Sequence, residues 1–170
     1  MALNTIPTPA ASAPTLNETV FTASGTFTPA AGVTKVWVEI IGGGGSGASG
    51  SQGGGGGSAG GTINQMFTVT PAVGVTVTVG AGGAAKTPQG GGNNGTGSLF
   101  DTVTCEGGSG GVYNQSQAIN GAESMGGSAF GSGKKSGTSA SANSGAGGGG
   151  TGSGNSGAGG SGRVTVRWVA

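Results

Sequence analysis

The sequence predicts an all-β protein: a small β-sandwich-like platform of short strands carrying long glycine-rich loops, with no α-helix of note. Short runs rich in Val, Thr, Ile, Phe and Trp carry a period of two, the signature of half-buried strands. Glycine supplies 45 of the 170 residues and is bunched between those runs instead of being spread through them. Each glycine-rich excursion, 42–61, 80–97 and 106–162, begins soon after a strand run and ends just before another.

Residues 1–17 read as an extended N-terminal arm. Pro7, Pro9 and Pro14 stand among small residues, and Leu3, Ile6 and Leu16 supply the large aliphatic groups. Leu3, Ile6, Pro7 and Pro9 are the candidates for docking on another protein, with a free terminus as the alternative. Residues 18–170 make the glycine-rich β domain. It opens with Thr19-Val20-Phe21-Thr22 and a turn-rich step through Gly25, Phe27, Pro29 and Gly32. In the following run, 35–41, Val36, Val38 and Ile40 share one face, and Lys35, Trp37, Glu39 and Ile41 the other. Residues 62–70 alternate less cleanly through Ile63, Met66, Phe67 and Val69. Pro71-Ala72-Val73-Gly74 makes a turn before the Val/Thr ladder 75–79. Residues 99–105 read as one strand, and 163–169 close the chain as another.

Strand parity says where the excursions go. If 35–41 runs towards one end of the sheet, 42–61 leaves and returns there, and 80–97 leaves from the same end. A single strand at 99–105 leaves the direction of 106–162 open. The excursions are either flexible spacers or packed backbone. A polyproline-II-like helix has three residues per turn and no internal hydrogen bonds. Glycine adopts it, and such helices approach closely enough to bond backbone to backbone. Glycine here lacks the strict every-third-residue period of collagen, so a bundle of polyglycine II helices is the packed form the sequence allows. Ser, Ala, Thr and Asn fill most remaining positions, as that packing demands.

Composition narrows the function. Charged residues make up 6% of the chain, against about 25% in an ordinary domain. The net charge of +1 gives no basic field for nucleic acid. There is no histidine, so the usual base for nucleophilic catalysis and a His/Cys metal site are both missing. Fragments of G-x-G-x-x-G are chance in this composition, and Gly133-Lys134-Lys135-Ser136 lacks the upstream glycine of a phosphate loop. The expectation is a non-enzyme with no cofactor and no metal. The single Cys105 reads as a small, half-buried strand residue. No basic N-terminal region and no span of about 20 apolar residues are seen, so neither a signal peptide nor a membrane helix is expected.

The one stretch of the third excursion that departs from glycine is 112–120. Tyr113 beside Asn114, Gln115, Gln117 and Asn120 is chemistry suited to sugars or polar protein surfaces, since the ring stacks and the amides both donate and accept. Phe130, Lys134 and Lys135 follow, and complete the candidates for receptor contact. The alternative is that Tyr113 and Ile119 only pin the loop to the platform. Trp37 and Trp168 fall in strands too few to cover two indoles, so at least one of them faces a neighbouring subunit or a second sheet.

Read in order, these motifs resemble a known family. The run 20–29 leads through Gly32-Val33-Thr34 to Val36-Trp37-Val38-Glu39-Ile40-Ile41 and 42–45. Phe67-Thr68-Val69-Thr70-Pro71 leads to Val75-Thr76-Val77-Thr78-Val79-Gly80, and Gly162-Arg163-Val164-Thr165-Val166 ends the pattern. Over about 19–169 the chain is similar to the glycine-rich domain of bacteriophage tail fibres and related virion appendages. It is similar too to phage adhesins with tips of packed polyglycine helices. The resemblance implies exposure on the virion surface, a homo-oligomer that is commonly a trimer, and host attachment. It supplies no fixed binding residues.

The expected function is therefore a phage virion protein of tail-fibre, tail-tip or spike type. It docks on another virion protein through 1–17 and presents its loops to a host surface glycan or protein. The alternative is a head fibre or capsid-decorating protein with a purely structural role. An ice-binding protein is a more distant reading, because such surfaces need repeated flat rows of Thr.

Overall fold

The computed structural model describes residues 13–51, 53–113 and 137–170. Eight strands form two antiparallel four-stranded sheets. The first has the order β1 (Leu16–Phe21), β8 (Arg163–Val169), β3 (Lys35–Ile41), β4 (Thr62–Thr68). The second has the order β2 (Gly25–Phe27), β5 (Val75–Thr78), β6 (Ser98–Phe100), β7 (Val103–Cys105).

The alternation seen in the sequence sets the faces. Val36, Val38 and Ile40 of β3 stand beside Val164 and Val166 of β8 and turn into the space between the sheets. Phe27, Val77, Phe100 and Cys105 fill that space from the other side. Phe100 is fully buried at its centre, 4.9 Å from the Phe67 ring and 6.2 Å from Phe27. The platform is thus a small sandwich held by one aromatic and valine-rich layer.

The step read as turn-rich at Gly25 and Phe27 contains strand β2, paired with β5, and two boundaries also differ from the expectation. Leu16 and Asn17, read as the end of the arm, are the first residues of β1, because the ladder with β8 runs from Phe21–Val164 out to Leu16–Val169. Residues 99–105 are not one strand but a tight hairpin. Asp101 takes φ +57°, a conformation Asp tolerates better than most residues, and Phe100 pairs back onto Val103. Cys105 is fully buried, not half-buried.

The hairpin settles the direction of the third excursion. With two short strands in place of one, β7 ends where β3 and β5 end, and β8 begins there. All three excursions therefore leave and return at one end of the sandwich.

They are ordered, and they pack as polyglycine II requires. Segment 42–50 runs outward from β3 with every residue buried. Its N–H groups at Gly42, Gly45 and Ala48 donate to the carbonyls of Gly61, Ser58 and Gly55. Those at Gly43, Ser46 and Ser49 donate to Thr96, Asn93 and Gly90, and those at Gly44 and Gly47 to Gly160 and Gly157. Residues three apart thus meet the same neighbour, as three residues per turn dictates. Its carbonyls receive in the other three directions: Gly43 and Ser46 from Gly108 and Gly111, Gly44 from Gly83, and Gly45 and Ala48 from Gly148 and Thr151.

Segment 42–50 is consequently the axis of a hexagonal bundle. Around it stand 54–61, 106–113, 90–97, 80–86, 155–162 and 144–151, alternately inbound and outbound. Consecutive members of this ring bond to each other as well, for instance Ser58 N–H to Ser109, Gly95 to Gly108, Thr96 to Ala81, Gly159 to Gly83, Gly160 to Ala146 and Gly57 to Gly148. Segment 137–143 lies outside the ring, with Ala140 N–H on the Ala158 carbonyl. A helix without internal bonds must satisfy its buried peptide groups through neighbours, and every N–H of 42–50 is matched in this way. At the axial glycines the spacing leaves no room for a side chain, while Ser46, Ala48 and Ser49 carry small ones. A Cβ on Gly42, Gly44 or Gly45 would overlap the carbonyl oxygens of Glu106, Ala146 and Ser109.

Candidate functional site at the far end of the bundle

Out-and-back segments must reverse at the end remote from the sandwich, and the reversals bring together residues far apart in sequence. They are the turn at 50–53, the stretch 86–90, Tyr113 and the stretch 151–155. Gly53 N–H bonds back to Gly50, with Gly53 at φ +120°. Ser49 and Gly90 exchange N–H bonds at 3.0 and 2.8 Å. The Ser49 hydroxyl donates to the Gly154 carbonyl at 2.6 Å, and the Thr151 hydroxyl to Ser153 at 2.7 Å. Lys86 N–H donates to the Ser156 hydroxyl at 2.8 Å. These short contacts tie the reversals into one tip.

Tyr113 is at this tip. Its backbone bridges to Gly54, and its hydroxyl donates to Gln89 Oε1 at 3.1 Å, with the residue 37% exposed. Of the other candidates for receptor contact, Asn114, Gln115, Gln117, Asn120, Phe130, Lys134 and Lys135 lie outside the described residues. So does Ile119, the alternative pin. The described chain stops at Tyr113 and resumes at Gly137, whose N–H bonds to Gly150, so both flanks of 114–136 are at the tip. The docking candidates Leu3, Ile6, Pro7 and Pro9 also lie outside the described residues.

The tryptophans take opposite sides of the first sheet. Trp168 turns inward and packs on Phe27 of the second sheet at a ring separation of 5.2 Å. Trp37 turns outward and is 45% exposed, between Met66 and Arg167.

Sequence reasoning missed Lys86, Thr87, Gln89, Ser153 and Asn155 as members of the tip. A signal for them exists: the midpoint of an out-and-back excursion has to be its far end. The middle of 80–97 is the run Thr87-Pro88-Gln89, and the middle of 144–162 is Ser153. Chemically the tip offers hydroxyls and amides, with Lys86 as the one charged side chain among its described residues. Such a set can hydrogen-bond and stack, and among the described residues it contains no paired nucleophile and base. Among the described residues no three His, Cys, Asp or Glu side chains gather as metal ligands would, and no helix is long and apolar enough to cross a membrane.

A family model described as a glycine-rich domain matches residues 19–140. No curated protein matches the chain.

Proposed function

This chain belongs to the glycine-rich domain family, and from that premise we propose that it is a bacteriophage virion protein of tail-fibre, tail-tip or spike type that attaches to the host cell. One observation carries the reading: three excursions become a single bundle whose far end gathers Gln89, Tyr113 and both flanks of 114–136. A rigid post with a polar tip is suited to presenting a segment at a distance from its base. The residues 114–136 are then the contact surface, with Asn114, Gln115, Gln117 and Asn120 facing a host glycan or protein. Several copies per particle, as a homotrimer, turn weak single contacts into avidity. The first residues of the chain dock the subunit on another virion protein.

The purely structural alternative, a head fibre or capsid-decorating protein, draws on the bundle itself, which uses its own hydrogen-bonding groups internally and leaves few for partners. Replacing 114–136 by a short Gly-Ser linker separates the two. Purified wild-type protein is expected to compete with phage for host cells, and the replaced variant to lose that competition while keeping its melting temperature. Equal competition by both, or none by the wild type at saturation, contradicts the attachment reading.

A further inference from the structure

On the outer face of the first sheet the half next to the bundle is buried on β3 and β8 but open at the edge strand, where Val20 is 46% exposed. Next to the bundle Ile41, Thr165 and Glu39 are buried on that face, whereas further away Trp37, Met66, Leu16 and Val169 are 45, 59, 69 and 58% exposed. These last four line a groove of about 490 Å³ together with Lys35 and Arg167 and, from the inner side of the sheet, Val33, Val36 and Trp168. Arg167 does not close it, because its guanidinium is drawn towards β1 by the Glu18 carboxylate at 2.6 Å. A contiguous apolar groove of this kind marks a contact site.

We propose that the occupant is the chain's own residues 1–12, lying across the sheet with Ile6-Pro7-Thr8-Pro9 against Trp37. The point of departure favours it. Thr15 and Ala170 exchange backbone bonds at 2.8 and 3.0 Å, so the chain enters the sheet at the rim of the groove, where Leu16 and Val169 line it. Trp37 is two strands away from β1, about 10 Å, while twelve residues reach on the order of 40 Å. Composition matches as well. Residues 1–12 contain Leu3, Ile6, Pro7 and Pro9 and no Asp, Glu, Lys or Arg. Proline presets an extended backbone, and proline-rich segments dock on aromatic-lined grooves. A tether of this length gives an effective concentration on the order of millimolar, well above that of a second copy in dilute solution. The inference does not rest on the attachment reading: it concerns the isolated subunit, in which residues 1–12 are not engaged by the virion protein on which that reading docks them.

The test uses Trp168→Phe as background, so that Trp37 alone emits, and compares acrylamide quenching in the full chain with a form lacking residues 1–12. Quenching is expected to be severalfold weaker in the full chain and unchanged on tenfold dilution. The full-length double variant Leu3→Asp/Ile6→Asp should quench like the shortened form. In the otherwise native chain, Trp37→Ala should speed thermolysin cleavage before Leu3 and Ile6. Equal quenching with and without residues 1–12 overturns the proposal. Protection that disappears on dilution overturns it too, by assigning the groove to a second copy.

Discussion

The fully buried hydroxyl of Ser98 donates to the Ile41 carbonyl at 2.6 Å and accepts the Gly80 N–H at 2.9 Å. Three chain segments meet at this one oxygen: the end of β3, the start of the second excursion and the start of β6. It is the hinge point at which sheet geometry changes into bundle geometry. Ser98→Ala leaves a buried donor and a buried acceptor unmatched, and is expected to cost about 1–3 kcal/mol. At this chain length that lowers the melting temperature by roughly 2–4 °C per kcal/mol, measurable by calorimetry.

Glycine is required by space at the bundle axis and at ring positions such as Gly57, Gly95 and Gly159, whereas at Gly152 it is not. Gly44→Ala drives a methyl group into the Ala146 carbonyl, backbone that cannot step aside. A loss of about 3 kcal/mol or more is expected. Gly152 has nothing within 4 Å of the place a Cβ would take, so Gly152→Ala should change stability by less than about 0.5 kcal/mol. Chemical denaturation of the two variants side by side checks the contrast.

Burial pushes the Cys105 thiol above the ordinary thiol range, the Glu106 carboxylate adds to this, and backbone bonds at Gly42 and Ile63 oppose it. The unfolded thiol ionises near about 8.5. A group whose folded pKa is raised contributes stability that is intact below the unfolded value and lost as pH rises through the folded one. Stability should therefore fall above about pH 8.5, by at most roughly 1.4 kcal/mol per pH unit. Cys105→Ala should flatten that slope relative to the wild type in denaturation curves between neutral pH and the alkaline range.

Glu39 and Arg163 form an ion pair at 3.0 Å on the outer face just below the bundle, with the Glu39 side chain 10% and the Arg163 side chain 34% exposed. Arg163→Met strands a buried carboxylate and is expected to cost about 1–3 kcal/mol. Glu39→Leu combined with Arg163→Met removes both charges, and should recover most of that loss. A thermodynamic cycle from urea denaturation reads the difference.

The sandwich was legible because its strands are amphipathic: Val36, Val38 and Ile40 announce an inner face without further context. The ordered bundle was legible as one of two options, since chemistry alone could not choose between a spacer and packed backbone. What decides is the register of bonds between 42–50 and six partners distant in sequence. The Asp101 turn was hidden because Leu99 to Cys105 keeps its alternation through the reversal, with only Asp101-Thr102 to mark it. The tip escaped for a related reason. Gln89 and Tyr113 are 24 residues apart, and only the out-and-back geometry makes them hydrogen-bond partners.

Backbone packed without side chains is the claim on which the account stands, and amide hydrogen exchange along 42–50 tests it most directly. Protection of Gly43, Gly44, Gly45 and Gly47 at the level of Val38 and Ile40 in β3 is the predicted result, because each donates to a neighbouring segment inside a closed ring. Exchange of those amides at the rate of an unstructured chain, while β3 stays protected, would contradict it.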